Sequence, residues 1–506
     1  MFRSSIIVSF FSFLSRVSGY IRDLIIAAYL GTGIFNDIFV ACFRIPNFFR
    51  VIIAEGVVNL AFIPIYRKFE IDKKNEEENK KMFLSNLFIW TLLIVIPVII
   101  LIEIFMPQVI SIFAPGFKNT EHFDLAIYIA RIIIPYALFV ILSSLLIGTL
   151  NSYKYFAVTS SIQIVINFAI ITGLILLGSN QILSVKTIAW SCIFAGFVQI
   201  LILHFSIKKN FRVKLIYPNK NKEINKFVRI LIPSFFIFFL FQLTKFFAYF
   251  IGSYEVGAIS YIYFSERIYQ IPVGIVSLAI TTAMLPTVSK LLIDNQIDLA
   301  KQYFGQAFEY TMLFIIPSAL VFFFYSELIV STLFQRGEFM QESVINTSDA
   351  LKIFALGLPA YAVMPLFTEY FIINKKIKIF IFGNFIISLI SMIIIWNLFN
   401  DLGFIGILWG LISFYWINFF FIILYLSYSN FSFFSANILY SVIKLIACSY
   451  IMIICINSLN YLTISSGIWK LLILIIVGFI TYFFAIFLIH KKIIYPLFLI
   501  LSRRSS

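Results

Sequence analysis

The sequence predicts an all-α polytopic membrane protein of about fourteen transmembrane helices, built as two parallel six-helix lobes plus two C-terminal helices. Composition is the first support. Of 506 residues, 61% are hydrophobic and only 12% charged, against about 25% charged in a soluble domain. Patterning is the second. Residues 155–185, 187–207, 379–400, 402–443, 445–469 and 471–489 contain no Asp, Glu, Lys or Arg, and about 20 such residues cross a bilayer as a helix. They are too long and too uniformly apolar for barrel strands, so helices must satisfy the backbone internally.

An internal repeat is the third support. Pro64 in Phe-Ile-Pro-Ile-Tyr-Arg-Lys is echoed by Pro286 in Met-Leu-Pro-Thr-Val-Ser-Lys, 222 residues on. The stretch from Val109 to Phe117, with Gly116 near its end, is echoed from Val330 to Phe339 with Gly337. Pro135-Tyr136 returns as Pro359-Ala-Tyr361, and Asn151-Ser-Tyr-Lys154 as Asn374-Lys-Lys376. An offset of six spans is even, so both repeats run in the same direction. That is the plan of a two-lobed transporter rocking about a central site.

The spans fall at roughly 4–30, 34–65, 83–106, 123–150, 156–178, 183–206, 230–251, 257–289, 303–333, 345–373, 379–399, 403–428, 434–458 and 466–489. The first lobe takes residues 1–206, a basic linker 207–229, the second lobe 230–428, and the last two spans with a tail 429–506. Loops 66–82 and 207–229 are rich in Lys and Arg, which by the positive-inside rule puts both termini in the cytoplasm. The +15 net charge is therefore a loop property, and no nucleic-acid partner is expected. The 62 phenylalanines read as codon bias and carry no functional weight. The apolar N-terminus lacks a small-residue cleavage site and is read as a retained first span. Cys42, Cys192, Cys448 and Cys455 lack CxxC spacing and read as buried apolar side chains. The three histidines are scattered, so no metal site is expected.

The informative residues are charges inside apolar spans, where each costs roughly 2.5–3.5 kcal/mol at the membrane centre. The first span carries Arg16, Arg22 and Asp23; the second and its entry carry Asp37, Arg44, Arg50 and Glu55; Lys245, Glu266 and Arg267 follow in spans seven and eight. Arg16 and Asp23 are seven apart and share a helix face, as do Asp37 and Arg44. Five Arg against four acids leave a net cationic pocket suited to a pyrophosphate or anionic lipid head group. Simple bracing between helices is the competing reading.

The segment from Phe13 to Asp23, Leu30-Gly-Thr-Gly33 and Asp37 resembles the N-terminal signature of the MurJ/MviN lipid II flippases. So do Phe43-Arg-Ile-Pro-Asn-Phe-Phe-Arg50, Ala54-Glu-Gly56, Ala61-Phe-Ile-Pro64, Ala114-Pro-Gly-Phe117 and Ser265-Glu-Arg267. The resemblance implies a fourteen-helix fold of the MOP exporter superfamily in the bacterial cytoplasmic (inner) membrane. It implies alternating-access export of lipid II, the undecaprenyl-pyrophosphate-linked peptidoglycan precursor, and no enzymatic step. The family's cavity residues fall on Arg16, Arg22, Asp23, Asp37, Arg44, Arg50, Ser260 and Arg267, and Glu55 matches an acid near a gate. Arg44 stands where Lys is common. Gln270 replaces an acid of some relatives, and no acid lies in span seven or eleven where some place sodium. No cofactor or metal is expected, with membrane potential or an ion gradient as the drive. Expected partners are lipid II, membrane lipids and the cell-wall synthesis machinery. Export of another polyprenyl-pyrophosphate-linked saccharide, or MATE-like antiport, is the alternative function.

Overall fold

A computed structural model describes residues 2–50, 58, 61–69, 76–207, 213–214, 216–458, 467–491 and 493. Among these the chain is a succession of twenty α-helices. In order they are α1 (Phe2–Leu30), α2 (Ile34–Arg50), α3 (Ile63–Lys68), α4 (Glu76–Ile104), α5 (Met106–Phe113), α6 (Phe123–Ile133), α7 (Tyr136–Ser152), α8 (Phe156–Leu177), α9 (Gln181–Ser206) and α10 (Lys222–Gly252). Then come α11 (Ala258–Pro272), α12 (Leu278–Ile293), α13 (Ile297–Phe324), α14 (Ser326–Phe334), α15 (Gln341–Ala362), α16 (Met364–Ile373), α17 (Ile377–Leu402), α18 (Phe404–Tyr428), α19 (Ala436–Ser458) and α20 (Ile468–Ile489).

Among the described residues, twelve helical stretches are long and apolar enough to cross a membrane. The charge-bearing helices α1 and α2, expected as the first two of fourteen spans, lie outside those twelve, α2 being described over only 17 residues. Proline explains most departures from the sequence-based spans. The span expected at 123–150 breaks at Pro135 into α6 and α7, because Pro lacks the N–H that would continue the ladder. The stretch expected as one helix over 257–289 holds a π-helical turn, Val273–Ser277, directly after Pro272. The span expected at 303–333 is α13, begun earlier at Ile297, and the separate short helix α14.

The chain forms two compact units: residues 1–260 with Arg336–Phe339, and residues 261–335 with 340–506. In the first, α8 packs between α1 and α9, and α7 packs against α2 and α9. Phe62, Tyr66, Phe83, Leu87 and Phe227 form one of its cores. In the second, α17 pairs with α18, while α13 packs on α15 and on α19, which in turn pairs with α20. Helix α4 turns apolar side chains outward: Leu93, Ile100 and Leu101 are each more than half exposed.

The repeat seen in the sequence is a repeat of structure. Helix α8 begins at Phe156 and α17 at Ile377, 221 residues on; α7 ends at Ser152 and α16 at Ile373, again 221 on. The echoed Asn-rich ends are matching helix stops. Lys154 and Lys375 both take left-handed backbone, at φ 64° and 56°. In each case the next residue closes the turn, Tyr155 N–H to Leu150 O and Lys376 N–H to Phe371 O, the bond that caps a finished helix.

The echoed glycines also have a shared cause. A Cβ on Gly116 would lie 2.0 Å from Ser253 O at the end of α10, and one on Gly337 would lie 2.2 Å from Ala28 O near the end of α1. Both junctions belong to the first unit. They are hydrogen-bonded: Gly116 N–H donates to Ser253 Oγ at 2.9 Å, and Glu338 N–H donates to Ala28 O at 2.9 Å. Each echoed loop therefore receives the end of a helix that opens a repeat.

Left-handed backbone costs a side-chain-bearing residue about 1–2 kcal/mol. Lys154→Gly and Lys375→Gly should each raise the thermal midpoint of the purified chain, and Lys154→Val should lower it. An unchanged midpoint in all three would remove the capping account.

Candidate functional site

The charges of α1 and α2 were expected to share helix faces, and the structure shows which groups some of them meet. Asp23 pairs with its neighbour Arg22. Arg22 Nη2 lies 2.7 Å and Nε 3.0 Å from the same oxygen, Asp23 Oδ1. Adjacent helical residues do not normally face each other, so the long Arg side chain must fold back along the helix. Asn167 of α8 holds it there, accepting from Arg22 Nη1 at 2.9 Å. Asn167 in turn donates to Ser18 Oγ at 2.9 Å. The Arg22 side chain keeps 12% of its surface and Asp23 only 3%. Arg16, one and a half turns earlier, is exposed.

Asp37 and Ser260 are brought together, both at 0% exposure. The Asp37 carboxylate accepts from Gly257 N–H at 2.6 Å, from Ser260 N–H at 2.8 Å and from the Ser260 hydroxyl. Asn36 Nδ2 donates to the same hydroxyl oxygen at 2.8 Å. These N–H groups are the orphan donors at the start of α11. A carboxylate supplied by α2 therefore does what an N-cap side chain would do, with the helix dipole in its favour. In this arrangement Asp37 organises backbone.

Two cations lean on aromatic rings. The Arg44 guanidinium carbon lies 3.4 Å from the centre of the Tyr249 ring of α10. A planar guanidinium can lie flat on that ring, whereas an ammonium would approach it as a point charge. Arg50, the last described residue of α2, donates from Nε to Asn47 Oδ1 at 2.8 Å. In the second unit Arg267 stands 4.7 Å over the ring of Tyr263 on the same helix. Two residues on, Tyr269 is fully buried, stacked on Phe354 at 4.8 Å with its hydroxyl 3.3 Å from that of Tyr415. That wedge fixes the rotation of α11 about its axis, and so the direction of Arg267. Glu55 lies outside the described residues. Lys245 is half-buried on α10.

Sequence reasoning missed Asn167, Tyr249, Asn36 and Gly257. Asn167 left a signal: it is an amide in the middle of the charge-free stretch 155–185, where a polar side chain is worth a search for a partner. Tyr249 and Gly257 left none, since only packing selects them.

The fold and these membrane-embedded charges define a polytopic helical transporter. The same fold is seen in an inward-facing multidrug resistance MATE family transporter of the MOP superfamily, at TM-score 0.65 and 12% identity over 85% of this chain and 99% of that one. The likeness is much greater to a solved lipid II flippase MurJ in an inward closed conformation: TM-score 0.82, 25% identity, 97% of this chain and 100% of that one. The sequence profile of the family described as Lipid II flippase MurJ matches residues 26–491, and the chain belongs to that family. Among curated relatives, a probable lipid II flippase MurJ of Rickettsia prowazekii (strain Madrid E) is 34% identical over 83% of this chain and 82% of its own length. One from Buchnera aphidicola subsp. Baizongia pistaciae is 31% identical over 89% and 88%.

Removing the Asp37 carboxylate leaves three buried donors unpaired, at about 1–3 kcal/mol each. Asp37→Ala should lower the thermal midpoint sharply and Asp37→Asn less, because the amide keeps one acceptor. In a double-mutant cycle with Ser260→Ala the losses should be far from additive. Additive losses would show that the two side chains do not act as one unit.

Proposed function

We propose that this chain is a lipid II flippase, carrying the undecaprenyl-pyrophosphate-linked muropeptide from the inner to the outer leaflet of the bacterial cytoplasmic membrane. The observation that carries this reading is the family match over residues 26–491, joined to an excess of arginine inside the spans. Arg22, Arg50 and Arg267 contact the pyrophosphate and the acidic peptide. Guanidinium groups suit this work because they remain charged when desolvated and hold phosphate oxygens in pairs. Arg16 and Arg44 add positive charge, while Asp23, Asp37 and Ser260 hold the helices that carry it, and Glu55 works at the gate. The Asn167 amide and the Asp23 carboxylate keep Arg22 in one rotamer, so less entropy is lost when an anion arrives.

No bond is made or broken, so the cycle needs no cofactor. Rocking of the lobes alternates access, and the substrate drives it only through unequal affinity for the two states. Net direction comes from membrane potential or an ion gradient. Both termini lie in the cytoplasm, where the basic loops face the cell-wall synthesis machinery that makes the substrate. A MATE-like cation antiporter should present acids without an arginine excess, which argues against that alternative.

The test is complementation. A host depleted of its own lipid II flippase receives this chain, or Arg267→Ala or Arg267→Lys at matched membrane abundance, and lipid II exposed on the outer leaflet is measured. The wild-type chain should restore exposure, Arg267→Ala should lose at least about tenfold, and Arg267→Lys should fall between, since an ammonium keeps charge without the paired geometry. An inserted wild-type chain that restores no exposure, in a host whose lipid II chemistry it shares, would favour a different polyprenyl-linked saccharide. Equal activity of Arg267→Ala would remove that residue from the binding site.

A further inference from the structure

Helix α13 carries the buried Pro317 inside it. Proline has no N–H, so the carbonyl four residues back, that of Leu313, loses its helical donor. Leu313 is at 0% exposure, and an acceptor orphaned there has no water to turn to. The donor comes from another helix. The hydroxyl of Tyr482, a buried residue of α20, donates to Leu313 O at 2.5 Å. Ser318, next to the proline, donates its own hydroxyl back to Phe314 O at 2.7 Å, a bond that also favours bending. The middle of α13 therefore holds two identified causes of a kink, and α20 completes the bond that the proline leaves open.

The helices α19 and α20 are fastened to α13 on both sides of this point. Before it, Gly305 of α13 admits Ile438 of α19, whose Cδ1 would lie 2.8 Å from a Cβ on that glycine. After it, Tyr325 at the end of α13 donates its hydroxyl to Asn457 Oδ1 at the end of α19, at 2.5 Å. Between the two, Phe483 of α20 meets Phe314, ring centres 6.3 Å apart. The pair thus lies along α13 as a splint lies across a joint. In the first repeat the corresponding span is α4, which has its own proline, Pro97. Around it Leu93, Ile94 and Val98 are each more than 40% exposed. The two helices that fall outside the repeat therefore cover a kink in one lobe, while the matching stretch of the other faces outward.

We propose that Tyr482 is a positioning residue that holds the Pro317 hinge of α13 in one bent form, and that α19 and α20 act through it to limit how far the second lobe flexes during transport. A proline turn is a hinge because one ladder bond is missing and the ring pushes the preceding turn away. A hydroxyl fixed on a packed helix reaches Leu313 O over a narrow range of bend, so making that bond selects one form. Any change of bend is felt by the neighbours of α13, which packs on α12, on α15 and on the π-helical turn Val273–Ser277. The consequence for transport rests on the flippase reading, whereas the hinge itself does not.

The test places spin labels at Leu299→Cys and Phe324→Cys, both exposed on α13, either side of the kink and about 37 Å apart on a straight helix. The full-length chain is used, with its four native cysteines replaced by alanine. Double electron–electron resonance should give one dominant distance. Tyr482→Phe removes only the hydroxyl. An orphaned buried acceptor shifts a balance between two forms about fivefold or more, so a second distance should grow by that factor. Outer-leaflet lipid II in the complementation assay should fall about fivefold at matched membrane abundance. Pro317→Ala returns an N–H to Leu313 O. In that background Tyr482→Phe should change neither the distances nor export, a rescue that a tyrosine acting only by packing would not show. An unchanged distance in Tyr482→Phe would overturn the hinge, and so would equal broadening with and without Pro317. A second distance with export at the wild-type level would overturn the role in transport. Should the wild-type chain itself restore no export, the flippase reading fails, while the distances, which need no substrate, still decide for or against the hinge.

Discussion

A guanidinium or carboxylate inside a membrane helix has no water to solvate it, and the rest of this structure answers to that constraint. Arg22 is met by Asp23 and Asn167, Arg44 by the face of Tyr249, and Asp37 by three donors at the start of α11. Each answer ties one helix to another or to itself. The charges proposed to receive an anionic substrate therefore also set how these helices register.

The Asp37 knot shows how one group can meet two structural needs. Its donors are backbone N–H groups that every helix leaves unpaired at its start. Placing them against a carboxylate from α2 removes two desolvation problems with one contact. It closes the chain entry into α11 at Gly257 and Ser260. The buried Tyr269 wedge then holds that helix against rotation through Phe354 and Tyr415.

Backbone contacts supply what side chains cannot. Gly116 and Gly337 are places where two chain segments approach too closely for any Cβ. Both are hydrogen-bonded across the junction. Their likeness explains why the loops that carry them repeat in the sequence. Asn86 is a further case, its side-chain amide bonding both the N–H and the carbonyl of Asn219 as a strand would.

The sequence by itself determined that the chain is helical and membrane-embedded, because no other structure satisfies the backbone of such long charge-free stretches. It also determined the repeat and the helix stops, since Pro and the Asn-Lys ends act locally. It marked Arg22, Asp37 and Arg267 as functional candidates through the cost of a charge in lipid. Only the tertiary structure decided which groups those charges meet. Helical spacing suggested that Asp23 shares a face with Arg16, yet Arg22 folds back to it because Asn167 waits on a helix 145 residues away. Tyr249 and Gly257 carry no local mark at all. A partner chosen by packing between distant helices is a property of the assembled fold, and periodicity along one helix cannot encode it.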